Sequence, residues 1–287
     1  MDLTPSILWR FSKELFVEVN KDRVGLTAAG IAFYGLLSLF PGIAAMMALG
    51  ALWTQPSVLV SQMQQIGSVL PPEASKIIID QAVQIAGSQK GGLGLAAVVG
   101  IVLSIYSASN AVGSLFVGIH LAAGEPDSRG FIASTVFTLA MTVVTIGLAL
   151  LAIFSTVVVP ALLAALHAQG WVAWILGLVR WPIMGVIAAL GLSVFYRLSI
   201  QRRSPPPPWI TPGAVLGAIL WLGGSVAFSI YVQNFANYNK TFGTLGGVIS
   251  LLIWLWLSAY IVLLGEEVNA LLESSAIRQR DQLVRKK

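Results

Sequence analysis

Long uncharged apolar runs recur along the whole chain, and they constrain its fold more than any other feature. The run from Val248 to Leu264 has no charged side chain and is followed by two carboxylates, Glu266 and Glu267. A helix from Thr244 to Glu266 rises about 1.5 Å per residue, so its length of about 33 Å would cross the hydrocarbon core of a bilayer. This stretch therefore predicts a membrane-spanning helix with an acidic pair at its far edge.

The composition places the rest of the chain in the same class. Of its 287 residues, 56% are hydrophobic and only 10% are charged, whereas soluble domains carry about 25% charged residues. We therefore predict an all-α, polytopic membrane protein with six transmembrane helices. The membrane domain is expected to cover residues 26–273, with spans at residues 26–53, 92–116, 131–160, 171–196, 211–232 and 244–268.

Three segments are predicted to lie outside the spans. Residues 1–25 contain an amphipathic helix that is expected to lie on the membrane surface, with a solvated helix packed on the loops as the alternative. Residues 54–91 are too polar to span and predict a long outer segment with short amphipathic helices. Residues 274–287 form a basic tail.

The basic residues predict the orientation of the chain. Six spans place most of the 17 lysines and arginines on one side, with both termini and the loop of three arginines after span four. Lys76, Lys90 and Lys240 fall on the other side, and Arg180 falls within a span. Since positive residues are retained in the cytoplasm, we expect both termini to be cytoplasmic.

Polar side chains within the predicted spans are the candidates for function. Ser107, Asn110 and Ser114 lie on one face of span two and must face other helices or water, because lipid offers them no hydrogen-bond partner. Hydrogen bonding between helices and a substrate path both fit this pattern. Arg180 is either buried in span four, where a charge marks a functional site, or located at the outer interface. The full set for a transport path or polar core is Tyr34, Ser107, Asn110, Ser114, Arg180, Asn239, Glu266, Glu267 and Asn269.

The acidic pair after span six predicts two different roles. Glu266 and Asn269 lie three residues apart on one helix face, which favours a polar gate or a cation-sensitive site at the cytoplasmic mouth of a path. Glu267 points about 100° away, and we expect it to pair with Arg23 or with the arginines of the loop after span four.

Proline and glycine predict where helices bend or approach each other. Pro41 and Gly42 lie within span one and favour a kink or break, because proline lacks a backbone donor. Glycines spaced four residues apart permit close helix contacts. Such contacts are expected at Gly213, Gly217, Gly243 and Gly247.

The sequence excludes several kinds of chemistry. It has no cysteine, and its two histidines, His120 and His167, lie far apart, so we predict no metal site, no cofactor and no catalytic residues. The basic residues lie beside spans, which argues against a nucleic acid partner. Membrane lipids, a homo-oligomer and an unidentified solute, ion or lipid substrate remain as partners. The competing classes are a transporter or flippase-like permease, a membrane scaffold or envelope-integrity protein, and an intramembrane enzyme, for which no catalytic constellation is visible.

Four stretches of the chain together resemble the YihY/BrkB family of bacterial inner-membrane proteins. They are DRVGLTAAGIAFYGLLSLFPG (22–42), YSASNAVGSLFVGIH (106–120), PGAVLGAILW (212–221) and YNKTFGTLGGVISLLIWLWLSAYIVLLGEEVNALLE (238–273). The resemblance implies six helices and cytoplasmic termini. Members of this family have been discussed as transporters and as serum-resistance factors, and some were labelled a tRNA-processing ribonuclease. Two isolated histidines do not supply the clustered ligands of a metal-dependent nuclease.

Overall fold

The computed structural model describes residues 5–50, 58, 60–61, 63–64, 72–87, 93–165, 171–200, 209–234 and 244–285. These residues are almost entirely helical and contain no strand, as the sequence predicts. The helices, numbered in chain order, are α1 (Pro5–Lys21), α2 (Val24–Gly50), α3 (Pro72–Gly87), α4 (Leu93–Ala123), α5 (Phe131–Ala165), α6 (Trp171–Ser199), α7 (Pro212–Asn234) and α8 (Thr244–Arg285).

Six of these helices, α2 and α4 to α8, are long and apolar enough to cross a membrane. Their surfaces fit this placement, since Val102, Val143 and Ile219 are 59%, 69% and 62% exposed and a broad apolar surface in water would be unfavourable. The prediction of six spans is confirmed. The helices run further than predicted, because α4 ends at Ala123 rather than Phe116 and α8 continues through the predicted tail as far as Arg285.

The six spanning helices are arranged in chain order around a closed ring. Each packs against the next, and α8 returns against α2. Within the described residues, the contact between α2 and α4 is the most extensive of the ring, and the contact between α4 and α5 is the smallest. The short helix α3 packs against α2 and α8. Space is therefore left between α4 and α5.

The main core lies at the end of the bundle where α1 meets α2. Val24, Ile119, Phe195, Ala214 and Leu263 bring together α2, α4, α6, α7 and α8 there. Because lipid tails are as apolar as these side chains, close packing rather than exclusion of water holds the helices together. A smaller cluster of Ile43, Met63 and Ala82 joins the other end of α2 to α3.

Local sequence explains where two of the spans end or begin. After α4, Gly124 has a φ of 66°, and the N–H groups of Gly124 and Glu125 donate to the carbonyl oxygens of Leu121 and His120 at 3.0 and 3.1 Å. This is a Schellman cap, which requires a left-handed residue such as glycine. At the start of α7, Thr211 supplies the cap and proline occupies the first helical position.

The prolines within the spans do not end their helices. Pro41 lies inside α2 and Pro182 lies inside α6, and both helices continue past them as single elements. Gly42 lies where α2 approaches α4, because a Cβ there would be 3.6 Å from the Ser104 hydroxyl oxygen.

Candidate functional site

A cavity of about 1110 Å³ lies between α4 and α5 and reaches the turn between α1 and α2. Its walls are formed by residues 106–121 of α4, residues 131–139 of α5 and the turn that connects these helices. Lys21, Asp22 and Tyr34 complete it. This volume slightly exceeds the usual range of small-molecule sites, about 300–1,000 Å³.

Three of the predicted candidates line this cavity. Asn110 and Ser114 contribute from α4, and Tyr34 contributes from α2. Ser107 is half-buried on α4 but lies outside the lining. The polar face predicted for span two therefore borders open space over part of its length.

No candidate residue was predicted in span three, but α5 forms the second wall of the cavity. Ser134, Thr135 and Thr138 line the cavity opposite α4. Their spacing of one and four residues places hydroxyl groups on one side of the first turns of α5. This spacing was the signal that could have identified α5 as the second wall.

Charged residues line the end of the cavity at the turn between α4 and α5. The guanidinium of Arg129 donates to the carbonyl oxygens of Leu198 and Ser199 at 2.9 and 3.1 Å and lies 3.6 Å from the centre of the Phe137 ring. It also lies 4.0 Å from the carboxylate of Asp127. Arg129 thus fixes the turn to the end of α6, where helix carbonyl groups lack intrahelical partners.

His120 extends into the same region from α4. Its Nδ1 is 2.8 Å from the carbonyl oxygen of Phe116, and because a carbonyl oxygen only accepts, this nitrogen carries the proton. Span two was predicted to end at residue 116, before His120, and this end is corrected because α4 continues to Ala123.

Glu266 and Asn269 form a buried polar cluster with the start of α7. The carboxamide oxygen of Asn269 accepts from the N–H of Gly213 at 2.8 Å, and its nitrogen donates to Thr211 Oγ1 at 3.1 Å and to Glu266 Oε2 at 3.0 Å. Glu266 is fully buried. The positive N-terminal end of α7 offers electrostatic compensation for this carboxyl group. The two residues lie on one face, as expected, but they do not line the cavity.

Glycines allow α7 and α8 to meet beside this cluster. A Cβ on Gly213 would overlap the carbonyl oxygen of Gly265, and a Cβ on Gly265 would lie 2.5 Å from the hydroxyl oxygen of Tyr196. That hydroxyl donates to the carbonyl oxygen of Val262 at 2.6 Å. At Gly217, a Cβ would lie 3.0 Å from Leu192. The close contact thus joins α6, α7 and α8.

Glu267 lies on the other side of α8, against the turn between α1 and α2. It is 1% exposed, and Asp22, Glu18 and Lys21 are close enough to interact with it electrostatically. A hydrogen bond with Glu18 raises the pKa of Lys21, which keeps this ammonium charged.

The structure describes two of the arginines predicted to pair with Glu267, Arg23 and Arg197. In the described part of the chain, ion pairs join Lys21 to Glu18 and Arg129 to Asp127, and none joins Arg23 to Glu267. Arg23 has a φ of 50° and an exposed side chain. Of the three arginines predicted for the loop after span four, Arg197 lies within α6 with its guanidinium 4.2 Å from the centre of the Trp209 ring, and Arg202 and Arg203 lie outside the described residues.

The other predicted residues remain untested. Arg180 belongs to α6, but its side chain is outside the described set. Asn239 and Gly243 also lie outside it, and Gly247 is buried in α8. Among the described residues, no three His, Cys, Asp or Glu side chains are grouped so that they could hold a metal ion.

Six apolar helices that are long enough to cross a membrane define a helical integral membrane protein. A family model described as virulence factor BrkB matches residues 15–287, and the chain belongs to this family. The resemblance drawn from the sequence motifs is thereby confirmed.

Two of the relatives match nearly the whole chain. A protein of Bacillus subtilis (strain 168), whose name describes it as the ribonuclease-like protein YfkH, is 29% identical over 266 residues, or 91% of this chain and 94% of the relative. A UPF0761 membrane protein of Cronobacter sakazakii (strain ATCC BAA-894) is 26% identical over 275 residues, or 93% and 89% of the two chains. No solved structure matches.

Proposed function

We propose that this protein is a transporter or flippase-like permease of the bacterial inner membrane. The cavity between α4 and α5 carries this proposal, because it combines a polar wall with an apolar rim inside a set of membrane-spanning helices. Such a site suits an amphipathic substrate, whose polar part would contact the wall while its apolar part remains near lipid.

The hydrogen bonds of α4 suggest that its polar side chains line a substrate path rather than hold helices together. The hydroxyl group of Thr142 on α5 donates a hydrogen bond to Ser109 Oγ on α4 at 3.5 Å. Asn110 and Ser114, by contrast, make no hydrogen bond to another helix within the described residues, although both line the cavity. Polar groups at membrane depth need partners, so these two side chains are suited to contact water or a polar substrate group.

The rim of the cavity favours access from lipid. Val117 and Leu121 of α4 are 60% and 47% exposed, and Phe131 at the start of α5 is 87% exposed. All three also line the cavity. In a bilayer these side chains would lie beside lipid, so an acyl chain could remain in the bilayer while its headgroup entered between the helices.

Two further observations argue against the alternative functions, a membrane scaffold and a ribonuclease. A scaffold that oligomerises through glycine faces would need those faces on its surface, whereas Gly213 and Gly217 are buried in contacts within the chain. A metal-dependent ribonuclease would need clustered ligands, and the described residues contain no such cluster.

The proposed orientation has both termini in the cytoplasm. Arg129 bonds to the end of α6, and Asn269 bonds to the start of α7, so the helix ends that adjoin the basic segments lie at one end of the bundle. The excess of basic residues assigns this end to the cytoplasm. There, the exposed Trp9 and Phe16 of α1 suit a helix at the membrane surface.

Reconstituted vesicles test this proposal without a known substrate. Purified protein would be placed in liposomes containing fluorescent phosphatidylethanolamine or phosphatidylglycerol, and the movement of each lipid between leaflets would be followed by dithionite quenching. We expect the wild-type protein to accelerate the movement of at least one of these lipids between the leaflets. Asn110→Leu and Ser114→Leu should slow this movement by about tenfold, the equivalent of one lost polar contact.

The matched control is Ser193→Ala, which changes a buried hydroxyl of α6 that lies outside the cavity and should leave lipid movement unchanged. A second set of vesicles would contain entrapped phosphate, glutamate or choline to detect a solute permease. If neither lipid movement nor solute release exceeds that of protein-free vesicles, the transport proposal is wrong.

A further inference from the structure

Glu267 is a buried acid with an unsatisfied oxygen. Its side chain belongs to α8 and is 1% exposed. Within the described residues, its Oε1 has no hydrogen-bond partner. An ionised carboxylate at such a position would lose its hydration without compensation, so the protonated form is favoured there.

A second carboxyl group meets Glu267 from the turn between α1 and α2. The Asp22 side chain lies close enough to Glu267 for the two carboxyl groups to share a hydrogen bond. Carboxylates only accept hydrogen bonds, so two of them in direct contact require a proton on one of the two.

None of the other charged groups near this pair supplies a positive charge that could take the place of the shared proton. Glu18 on α1 adds a further negative charge, and the ammonium of Lys21 is bonded to Glu18 at 2.6 Å. Glu266, the neighbouring acid on α8, receives a hydrogen bond from Asn269. Arg23 is exposed and forms no ion pair with Glu267 among the described residues.

The pair is connected to the cavity through Asp22. This residue is half-buried and lines the cavity, whereas Glu267 lies behind it. The next residue, Arg23, has the left-handed φ of 50°, a conformation that is uncommon for residues other than glycine and is held by surrounding contacts. A change in the contact between Asp22 and Glu267 therefore acts on a strained turn at the cavity wall.

We propose that Asp22 and Glu267 form a proton-binding pair that couples protonation to the position of the α1–α2 turn at the end of the cavity. When the pair releases its proton to water in the cavity, two carboxylates face each other, and their repulsion moves the turn away from α8. Uptake of a proton restores the hydrogen bond. The role of this movement in substrate access rests on the proposed function, but the proton site does not.

Infrared spectroscopy of the protein in liposomes tests the site directly. Difference spectra across a pH series should show the C=O band of a protonated carboxyl group that is lost as the pH rises. This band should be missing in Glu267→Gln and altered in Asp22→Asn. It should persist in Glu125→Gln, which changes an exposed acid that also lines the cavity.

The movement of the turn needs a separate readout. Because the chain contains no cysteine, Arg23→Cys provides a single thiol whose labelling rate can be compared at each pH with that of Lys13→Cys, an exposed position on α1. We expect the ratio of the two rates to rise severalfold with increasing pH in the otherwise wild-type protein. In the Glu267→Gln background it should remain constant.

The outcomes separate this inference from the transport proposal. A titrating band in a protein that moves neither lipid nor solute would support the pair and contradict transport. Transport without any carboxyl band sensitive to Glu267→Gln or Asp22→Asn would contradict the pair alone. Replacement of sodium by choline at constant pH should not change the spectra, and a change would indicate a sodium site instead. If Glu267→Gln does not fold, Asp22→Asn supplies the same comparison.

Discussion

At the level of single residues, Asn269 explains why α8 carries an amide directly after its acidic pair. One carboxamide accepts from the backbone of α7 and donates both to the residue that caps α7 and to Glu266. A hydrophobic residue of similar size would leave the N–H of Gly213 and the carboxyl group of Glu266 without these partners. The polarity of this position therefore has a structural cause that does not require a substrate.

Replacement of Asn269 should be costly for this reason. Asn269→Ala is expected to lower the free energy of unfolding by about 1–3 kcal/mol, the usual cost of unsatisfied buried polar groups. Thermal and denaturant unfolding in detergent micelles would measure the change. Asn20→Ala, which removes a local bond to Phe16 on exposed α1, should change stability by less than about 0.5 kcal/mol. Equal effects of the two substitutions would contradict this role.

The spacing of residues in the sequence predicted which side chains share a face of one helix, but it did not predict which side chains of different helices are in contact. The spacing of Glu266 and Asn269 correctly places them on one face, and they are bonded to each other. Their contacts with Thr211 and Gly213 were not predictable, because those residues precede them by more than fifty positions and only the packing of α7 on α8 brings them together. The contact of Asp22 with Glu267 was missed for the same reason.

At the level of helices, the contact of α7 with α8 depends on two glycines that face each other. No side chain fits at Gly213, because a Cβ there would overlap the backbone of Gly265. Backbone atoms cannot move aside as a flexible side chain can. The distance between the two helices is therefore set by the absence of side chains at this point.

A pair of glycine substitutions tests this contact. Gly213→Ala should abolish most of the folded protein, whereas Gly30→Ala should be neutral or slightly stabilising, since a Cβ on Gly30 meets no atom within 4 Å and alanine favours helix by up to about 1 kcal/mol. Size-exclusion chromatography of the detergent-solubilised variants would compare the fraction of monodisperse protein. Normal yields of Gly213→Ala would show that the helices do not approach so closely.

Hydropathy predicted the number of spanning helices but not the faces that they present. Apolar runs are sufficient to identify α2 and α4 to α8, because length and hydrophobicity decide insertion. The position of the cavity depends instead on the limited contact between α4 and α5. Ser134 and Thr138 therefore line the cavity, although span three is otherwise aliphatic. Glu266 and Asn269, which were predicted to line a path, are instead buried between helices.

At the level of the whole molecule, the bundle combines a tightly packed side with a loosely packed side. The contacts among α2, α4, α7 and α8 are close, and the cavity lies where α5 meets α4. The turn between α1 and α2 lies at the end of this cavity and also contacts α8. This arrangement connects the buried acid of α8 to the space that we propose as a transport path.

The entry of water into the cavity is the property that most directly separates a path from a dry scaffold. Since the chain has no cysteine, Asn110→Cys and Ser114→Cys each provide a single thiol for a membrane-impermeant, charged thiol reagent applied to each side of sealed membrane vesicles. Two controls come from α5. Val143→Cys changes a residue that is 69% exposed on the apolar surface, and Thr142→Cys changes one that is 1% exposed.

We predict that the thiols at positions 110 and 114 react with the charged reagent from at least one side, because they border the cavity, which must admit water if it is a transport path. The thiol at position 143 should remain unreactive despite its greater exposure, since lipid covers it, and the thiol at position 142 should remain unreactive because protein covers it. If positions 110 and 114 were as unreactive as both controls, the space between α4 and α5 would be dry and the transport proposal would be contradicted.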